Sequence, residues 1–232
     1  MAPPDIRHRV SAWQSAHAVT RTGRALPELA LFDFDHTLTD RDSYARFLRR
    51  VAAPELRAQA WWRVGPWLLA YRLKLISAER IRRRVTMQVL RGRHIDDITA
   101  QAQAYSGEAI DGMIRPEMLE QLHWHKAQGH TVAIVSGSLD LYLRPWCESL
   151  GLELICNRLE IEGTRITGRY AGGDIGRHKV AHIRRRFDLA EFHRIHAYGD
   201  SREDKPMLAI AHDRWWRGKA VEQLVGGTIA QS

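Results

Sequence analysis

The chain of 232 residues has only two cysteines, Cys147 and Cys156, too few for a disulfide scaffold and without metal-ligand spacing. A reducing, cytoplasmic setting is the expectation that follows. Long apolar runs are also missing. The longest lies around Trp67 to Tyr71, between Pro66 and Arg72, far short of the roughly 20 residues that span a bilayer. Residues 1–27 carry Arg7, Arg9, Arg21 and Arg24 without an apolar stretch, so they read as a loosely ordered N-terminal extension rather than a secretory signal. There is no internal repeat, no low-complexity tract, and neither a G-x-G-x-x-G nor a P-loop. Solenoids, wholesale disorder and motif-based nucleotide binding are thereby excluded.

What remains is an ordinary globular composition, 44% hydrophobic and 27% charged, in a chain long enough for one α/β domain with an insertion. The unusual quantity is charge. Thirty-five Lys and Arg against 27 Asp and Glu leave +8, which invites a nucleic acid, an anionic surface or a phosphorylated substrate.

Leu29-Ala30-Leu31-Phe32-Asp33-Phe34-Asp35 is a short apolar run ending in acids, as expected of a parallel strand buried on both faces with carboxylates at its C-terminal end. From Asp42 to about Glu117 the pattern is helical, broken at Pro54, Pro66 and Gly92, which predicts an all-helical insertion. Thr131 to Val135 reads as a second buried strand running into Ser136-Gly137-Ser138, and Leu152 to Ile155 as a third. Arg158 to Tyr170 alternates around Glu162-Gly163, predicting a hairpin, and a helix is expected from about His178 to Phe187. Ile195 to Tyr198 ends at Gly199-Asp200, and Pro206-Met207-Leu208 opens a further helix. Strands alternating with helices predict an α/β, doubly wound parallel sheet, Rossmann-like in outline, whose ligands bind beyond the strands' C-terminal ends. The expected division is residues 1–27 as extension, 28–41 with 118–232 as catalytic core, and 42–117 as cap.

Three strand ends carry polar residues: Asp33 and Asp35, Ser136, and Asp200 with Asp204. Such ends converge on one crevice, where four carboxylates would repel one another without a cation, and oxygen-only ligands favour Mg²⁺ over zinc. Any one of these acids taken alone reads equally as a helix cap or loop solvator.

Asp33-Phe34-Asp35-His36-Thr37-Leu38-Thr39 resembles the D-x-D-x-T signature of the haloacid dehalogenase superfamily. Ile134-Val135-Ser136-Gly137-Ser138 is similar to its second motif, Lys179 to its third, and Gly199-Asp200-Ser201-Arg202-Glu203-Asp204 to its fourth, in the right order over about residues 29–220. The insertion after the first motif resembles the cap of the phosphoserine-phosphatase-like branch, and within it the group that includes bacterial phosphatidylglycerophosphate phosphatases. The resemblance implies a Mg²⁺-dependent phosphatase. Asp33 would be the nucleophile that forms an aspartyl-phosphate, and Asp35 the acid and base. Mg²⁺ would be held by Asp33, the Asp35 carbonyl, Asp200 and, directly or through water, Asp204. Ser136, Gly137 and Lys179 would hold the phosphoryl group.

His36 would sit near the phosphate or pack at the cap hinge. Asp42 falls where an acid in phosphoserine phosphatases reads the substrate's amine, and it reads equally as an N-cap. Arg202-Glu203 departs from what phosphoserine phosphatases carry, which weakens an amino-acid substrate.

The cap segment Arg57 to Ile76 interleaves Trp61, Trp62, Trp67, Leu68, Tyr71 and Leu75 with basic residues, and Arg80, Arg82, Arg83, Arg84, Arg91 and Arg93 follow. A helical core stripe with a solvated basic face accounts for this, and so does peripheral contact with an anionic membrane at its inner face or with a lipid phosphate. His178 with His182, and His123 with His125, lack an evident third ligand and read as solvated or capping histidines. The competing functions are a decayed, basic nucleic-acid-binding protein and a receiver-like phosphorylation switch. The first has charge alone behind it. The second would lack the Asp35 acid and the cap. A phosphorylated small-molecule or lipid substrate, without nucleic acid, is therefore the expected partner.

Overall fold

The computed structural model describes residues 27–55, 58, 62 and 64–222, together with the backbone of 224–225 and 228–229. The N-terminal extension, and Arg57, Trp61 and Arg63 of the cap segment, lie outside the described residues.

Strand β1 (Glu28–Phe32) forms because every residue after Glu28 is apolar and can be shielded from water on either face. Leu29, Ala30, Leu31 and Phe32 are fully buried. Its backbone polar groups then need partners on both edges. They are supplied by the parallel strands β2 (Thr131–Leu139) and β6 (Arg194–Gly199). Strand β3 (Glu153–Asn157) extends the sheet beyond β2. Beyond β6 come β7 (Asp213–Trp216) and β8 (Lys219–Ala220), in the order β3-β2-β1-β6-β7-β8, all parallel except the β7–β8 pair. This is the doubly wound α/β sheet that the alternation predicts. Strands β7 and β8, at one end of the sheet, go unannounced in the sequence because four residues and two residues are too short to establish a period.

The helices, in chain order, are α1 (Ser43–Val51), α2 (Gly65–Arg72), α3 (Ala78–Leu90), α4 (Ile95–Tyr105), α5 (Pro116–Ala127), α6 (Asp140–Ser149), α7 (Lys179–Arg186) and α8 (Lys205–Ala209). Side chains alternate along each strand, so the sheet buries two separate cores. Ala30, Phe32, Ile134 and Tyr198 pack against Leu122 of α5 and Leu143 of α6, continuous with the interior of the insertion. Leu31, Val135 and Ala197 pack against Ile183 of α7 and Met207 of α8.

Helices α1 to α4 all belong to the segment inserted between β1 and β2. The chain enters and leaves it side by side. Asp40 N–H donates to the Met113 carbonyl at 2.9 Å and Arg115 N–H to the Leu38 carbonyl at 2.8 Å. The hairpin of β4 (Leu159–Glu162) and β5 (Arg165–Tyr170) turns around Glu162-Gly163 as the alternation predicts. It does not join the main sheet but lies on α3. Gly168 there has φ +83°, and a Cβ on it would stand 2.9 Å from the Met87 Cα, so only glycine lets the strand approach the helix this closely. Two backbone bonds, Gly92 N–H to the Ile166 carbonyl at 2.8 Å and Ile166 N–H to the Arg93 carbonyl at 3.0 Å, fasten it. The helical insertion thus carries a β-hairpin lent by a later part of the chain.

Helix α2 buries none of its residues. Leu68, Leu69, Tyr71, Leu73 and Leu75, with Trp62 before them, are exposed. Their apolar character is therefore not that of a core stripe.

Candidate active site

The register of the three central strands assembles the site. Phe32 lies beside both Ile134 and Tyr198, so the residues that follow each of them emerge together at the C-terminal ends: Asp33, Ser136 and Asp200. Asp33 N–H still donates to the Tyr198 carbonyl at 3.0 Å, which prolongs the ladder to the carboxylate itself. Beyond Asp33 the backbone makes one wide turn over Phe34–Leu38, closed by Thr39 N–H on the Phe34 carbonyl at 3.1 Å. His36 sits in it at φ 63°, a left-handed conformation uncommon for a non-glycine residue and often found where function requires it. The Thr39 hydroxyl accepts its N–H at 3.1 Å.

This turn carries Asp35 toward the insertion. Its Oδ1 accepts the backbone N–H of Ser43 at 2.7 Å, and its Oδ2 accepts the hydroxyl of Ser138. Burial raises its pKa, with the charge of Asp42 adding, while the bonds from Ser138 and Ser43 pull the other way. Asp42 itself is exposed and caps α1 by accepting Ala45 N–H at 2.7 Å. The N-cap reading is realised, and Asp42 still acts on Asp35 through its charge.

Lys179 begins α7 and is only 2% exposed. Its Nζ donates to Asp33 Oδ1 at 2.5 Å and to Asp204 Oδ1 at 2.6 Å. Asp204 is fully buried, and its other oxygen accepts Ser201 N–H at 2.8 Å, the Ser201 hydroxyl at 2.7 Å and Asp200 N–H at 3.2 Å. Burial alone would raise the Asp204 pKa, but Lys179 and Ser201 hold it below the usual range. Asp33 is pushed well above that range by burial and by Asp204, in spite of Lys179. Asp200 rises for the same two reasons. The crevice holds one ammonium, that of Lys179, for several carboxylates.

The donor set fits a hard divalent ion. Carboxylate oxygens of Asp33, Asp200 and Asp204 lie within 4.8 Å of one another, and the donors are oxygen only. In the same turn the Thr37 hydroxyl is buried without a hydrogen-bond partner.

Ser136 is buried, and its hydroxyl accepts Ser138 N–H at 3.0 Å. The Gly137 carbonyl accepts a hydrogen bond from Asn157 Nδ2 at 2.7 Å, which fixes the peptide after Gly137. Over this peptide stands a residue without a role in the sequence reading. Arg82 of α3 reaches from the insertion and donates to Asp174 at 3.0 and 2.8 Å and to Glu203 at 2.9 and 3.0 Å. A Cβ on Gly137 would stand 3.2 Å from its guanidinium carbon, and one on Gly176 would collide with it. Glu203, the departure in the fourth motif, is thereby given a partner. Ser43, Ser138, Asn157 and Asp174 were likewise unassigned, and of these only Ser138 lies in a motif.

One expectation is corrected. His125 is neither solvated nor capping but fully buried, with His130 and His196 against it. Its fate is decided by α5 packing on the sheet, which a local pattern of polar residues does not reveal.

The family description "haloacid dehalogenase-like hydrolase" matches residues 30–209. Protein CicA of Caulobacter vibrioides is 31% identical over 200 residues, 82% of this chain and 86% of that protein. The 2-hydroxy-3-keto-5-methylthiopentenyl-1-phosphate phosphatase of Brevibacillus brevis is 28% identical over 195 residues, 79% of this chain and 80% of its own. A solved substrate-bound phosphoserine phosphatase shares the fold with a TM-score of 0.56 at 20% identity, covering 82% of this chain and 85% of that one.

Proposed function

The chain belongs to the haloacid dehalogenase-like hydrolases, and from that premise we propose that it is a phosphatase of the phosphoserine-phosphatase-like branch that hydrolyses a phosphate monoester with Mg²⁺ through an aspartyl-phosphate on Asp33. The observation that carries this reading is Lys179 clamped between Asp33 and Asp204 while Asp35 is held on both oxygens by Ser43 and Ser138.

Mg²⁺ would be held by Asp33, the Asp35 carbonyl and Asp200. Asp204, whose carboxylate belongs to the same cluster, would add a direct or water-mediated contact, and it holds Lys179 and the Asp200 N–H in place. The ion supplies positive charge that lets a phosphate dianion approach a carboxylate. Lys179 occupies Asp33 Oδ1, so Oδ2 is the oxygen that attacks phosphorus. The P–O bond to the alcohol breaks as the Asp33–phosphorus bond forms, and the leaving alkoxide takes the proton of Asp35. Raised by burial, Asp35 is suited to carry that proton. Asp35, now ionised, takes a proton from water, whose oxygen attacks phosphorus and releases Asp33. Lys179, the Ser136 hydroxyl and the backbone N–H at Gly137 hold the phosphoryl oxygens throughout.

The substrate is a small or amphiphilic phosphate ester. The Brevibacillus relative, named for a small phosphate ester, supports the small end of that range. The exposed leucines and tyrosine of the cap, beside Arg72 and Lys74, support an amphiphilic ester or contact with an anionic membrane. No helix among the described residues is long and apolar enough to cross a membrane.

Mg²⁺-dependent release of phosphate from p-nitrophenyl phosphate, phosphoserine and phosphatidylglycerophosphate tests the reading. Turnover by wild type, and none by Asp33→Asn, is the expected result. Undiminished turnover by Asp33→Asn would sink the covalent route, and equal rates on all three esters would remove the lipid preference.

A further inference from the structure

At the opposite end of the sheet from the crevice, five ionisable side chains converge in the interior. Glu28 opens β1, and His196 and Asp213 are directly paired on β6 and β7. His125 comes from the last turn of α5, and His130 follows the turn that leads into β2. Five residues of strand separate Glu28 from Asp33, about 16 Å at the usual rise.

His125 Nδ1 and His130 Nδ1 face each other at 2.8 Å. Glu28 Oε2 lies 2.7 Å from His196 Nε2 and 3.6 Å from His130 Nε2. Nitrogens of all three histidines fall within 4.8 Å of one another. An ion bound tetrahedrally at 2.0–2.1 Å separates its ligands by about 3.3–3.4 Å, which falls between the 2.8 Å of the His125–His130 pair and the 4.8 Å that contains all three histidine nitrogens. The outer nitrogens are held as well. His125 Nε2 is bonded to the Tyr198 hydroxyl at 2.8 Å, which leaves Nδ1 for the centre. His196 Nδ1 lies 3.1 Å from Asp213 Oδ2, a charge contact without an aligned hydrogen bond, which leaves Nε2 for the centre. Metal-ligating histidines are oriented in this way, by a partner on the nitrogen that does not bind.

We propose that His125, His130 and His196 form a second metal site, structural and with the Glu28 carboxylate beside it, for a divalent transition ion of the zinc class. Three imidazoles select Zn²⁺ over Mg²⁺ or Ca²⁺, which take oxygen, and the burial of His125 and His196 keeps a substrate out. The ion would bind α5 and the start of β2 to strand β6. Phe32, Trp124 and Tyr198 make ring contacts with the histidines and give the site an aromatic wall. Its chemistry is independent of the Asp33 crevice, so the test keeps the two apart.

The full-length protein, stripped with EDTA, reloaded with Zn²⁺ and desalted, is analysed for bound metal, and Co²⁺ loading is followed by visible absorption. One equivalent of zinc in wild type and in Asp33→Asn/Asp200→Asn, with a tetrahedral cobalt spectrum, is the expected result. His130→Ala, at the shallower edge of the cluster, should lose the retained ion while circular dichroism and melting show it folded. His125→Gln should do the same. Should wild type retain no zinc, the cluster is a hydrogen-bonded network only and the proposal fails. It fails equally if the crevice variant loses the ion and His130→Ala keeps it.

Discussion

Replacing Arg82 by methionine keeps the unbranched apolar stem of the side chain and removes its guanidinium charge. Asp174, whose side chain is 1% exposed, then loses both bonds from the guanidinium, and Glu203, 18% exposed, loses its two. Removing one partner of a buried pair costs about 3–5 kcal/mol, because the remaining charge is left without compensation. Here the lower end applies. Asp174 Oδ1 keeps the N–H of Gly176 at 2.7 Å, and Glu203 is open enough to recruit water. A loss of about 3 kcal/mol in a chain of this size lowers the melting temperature by roughly 6–12 °C. The assay is thermal and urea unfolding of wild type, Arg82→Met, and Arg82→Met/Asp174→Asn/Glu203→Gln. The triple variant no longer buries an unpaired charge and should recover at least about 1.5 kcal/mol of the loss. A single-variant cost under about 1 kcal/mol would place the cluster with ordinary surface ion pairs and refute its role in fastening the insertion to the core. Turnover at saturating substrate, measured below the melting range, then reports what the fastening contributes to catalysis.

Lys179→Met should lower kcat by about 10²–10³-fold, the usual cost of a lost preorganised donor, and a smaller effect on p-nitrophenyl phosphate would remove Lys179 from phosphate binding. Ser138→Ala deletes a hydrogen bond that favours the ionised form of Asp35. The Asp35 pKa then rises, and the alkaline limb of the kcat profile, where the acid form is lost, should move to higher pH; a shift to lower pH contradicts the assignment. Burial pushes His125 down to about 2, with His196 and His130 adding to the effect. The unfolded chain therefore takes a proton near pH 6.5 that the folded chain refuses, and stability is full above that pH and falls below it by about 1.4 kcal/mol per unit. Urea midpoints of EDTA-treated protein between pH 7 and 5 measure this slope, and a flat line would show that His125 is protonated in the fold.

Much of the core and the crevice is written locally. An apolar run with an acid at its end makes both a buried strand and a carboxylate at the crevice, so β1 with Asp33, β2 with Ser136 and β6 with Asp200 are legible from short stretches. Parallel strands in one sheet then bring such ends together whatever the details of packing. Lys179 is legible only by its place among the other motifs, since nothing local distinguishes it from a surface lysine. Asp42 is legible as a cap because capping is settled within one turn.

What tertiary structure alone decided involves partners far apart along the chain. Arg82, Asp174 and Glu203 are ordinary surface charges until α3 lies over the strand ends. Gly168 is an unremarked strand glycine until Met87 packs on it, and the leucines of α2 resemble a core stripe until the fold leaves them uncovered. Glu28, His125, His130, His196 and Asp213 come from four elements and one turn, with no spacing to mark them. The reason is physical. A strand or a cap is determined by neighbours a few residues away, whereas desolvation and ion pairing depend on which surfaces the fold presses together.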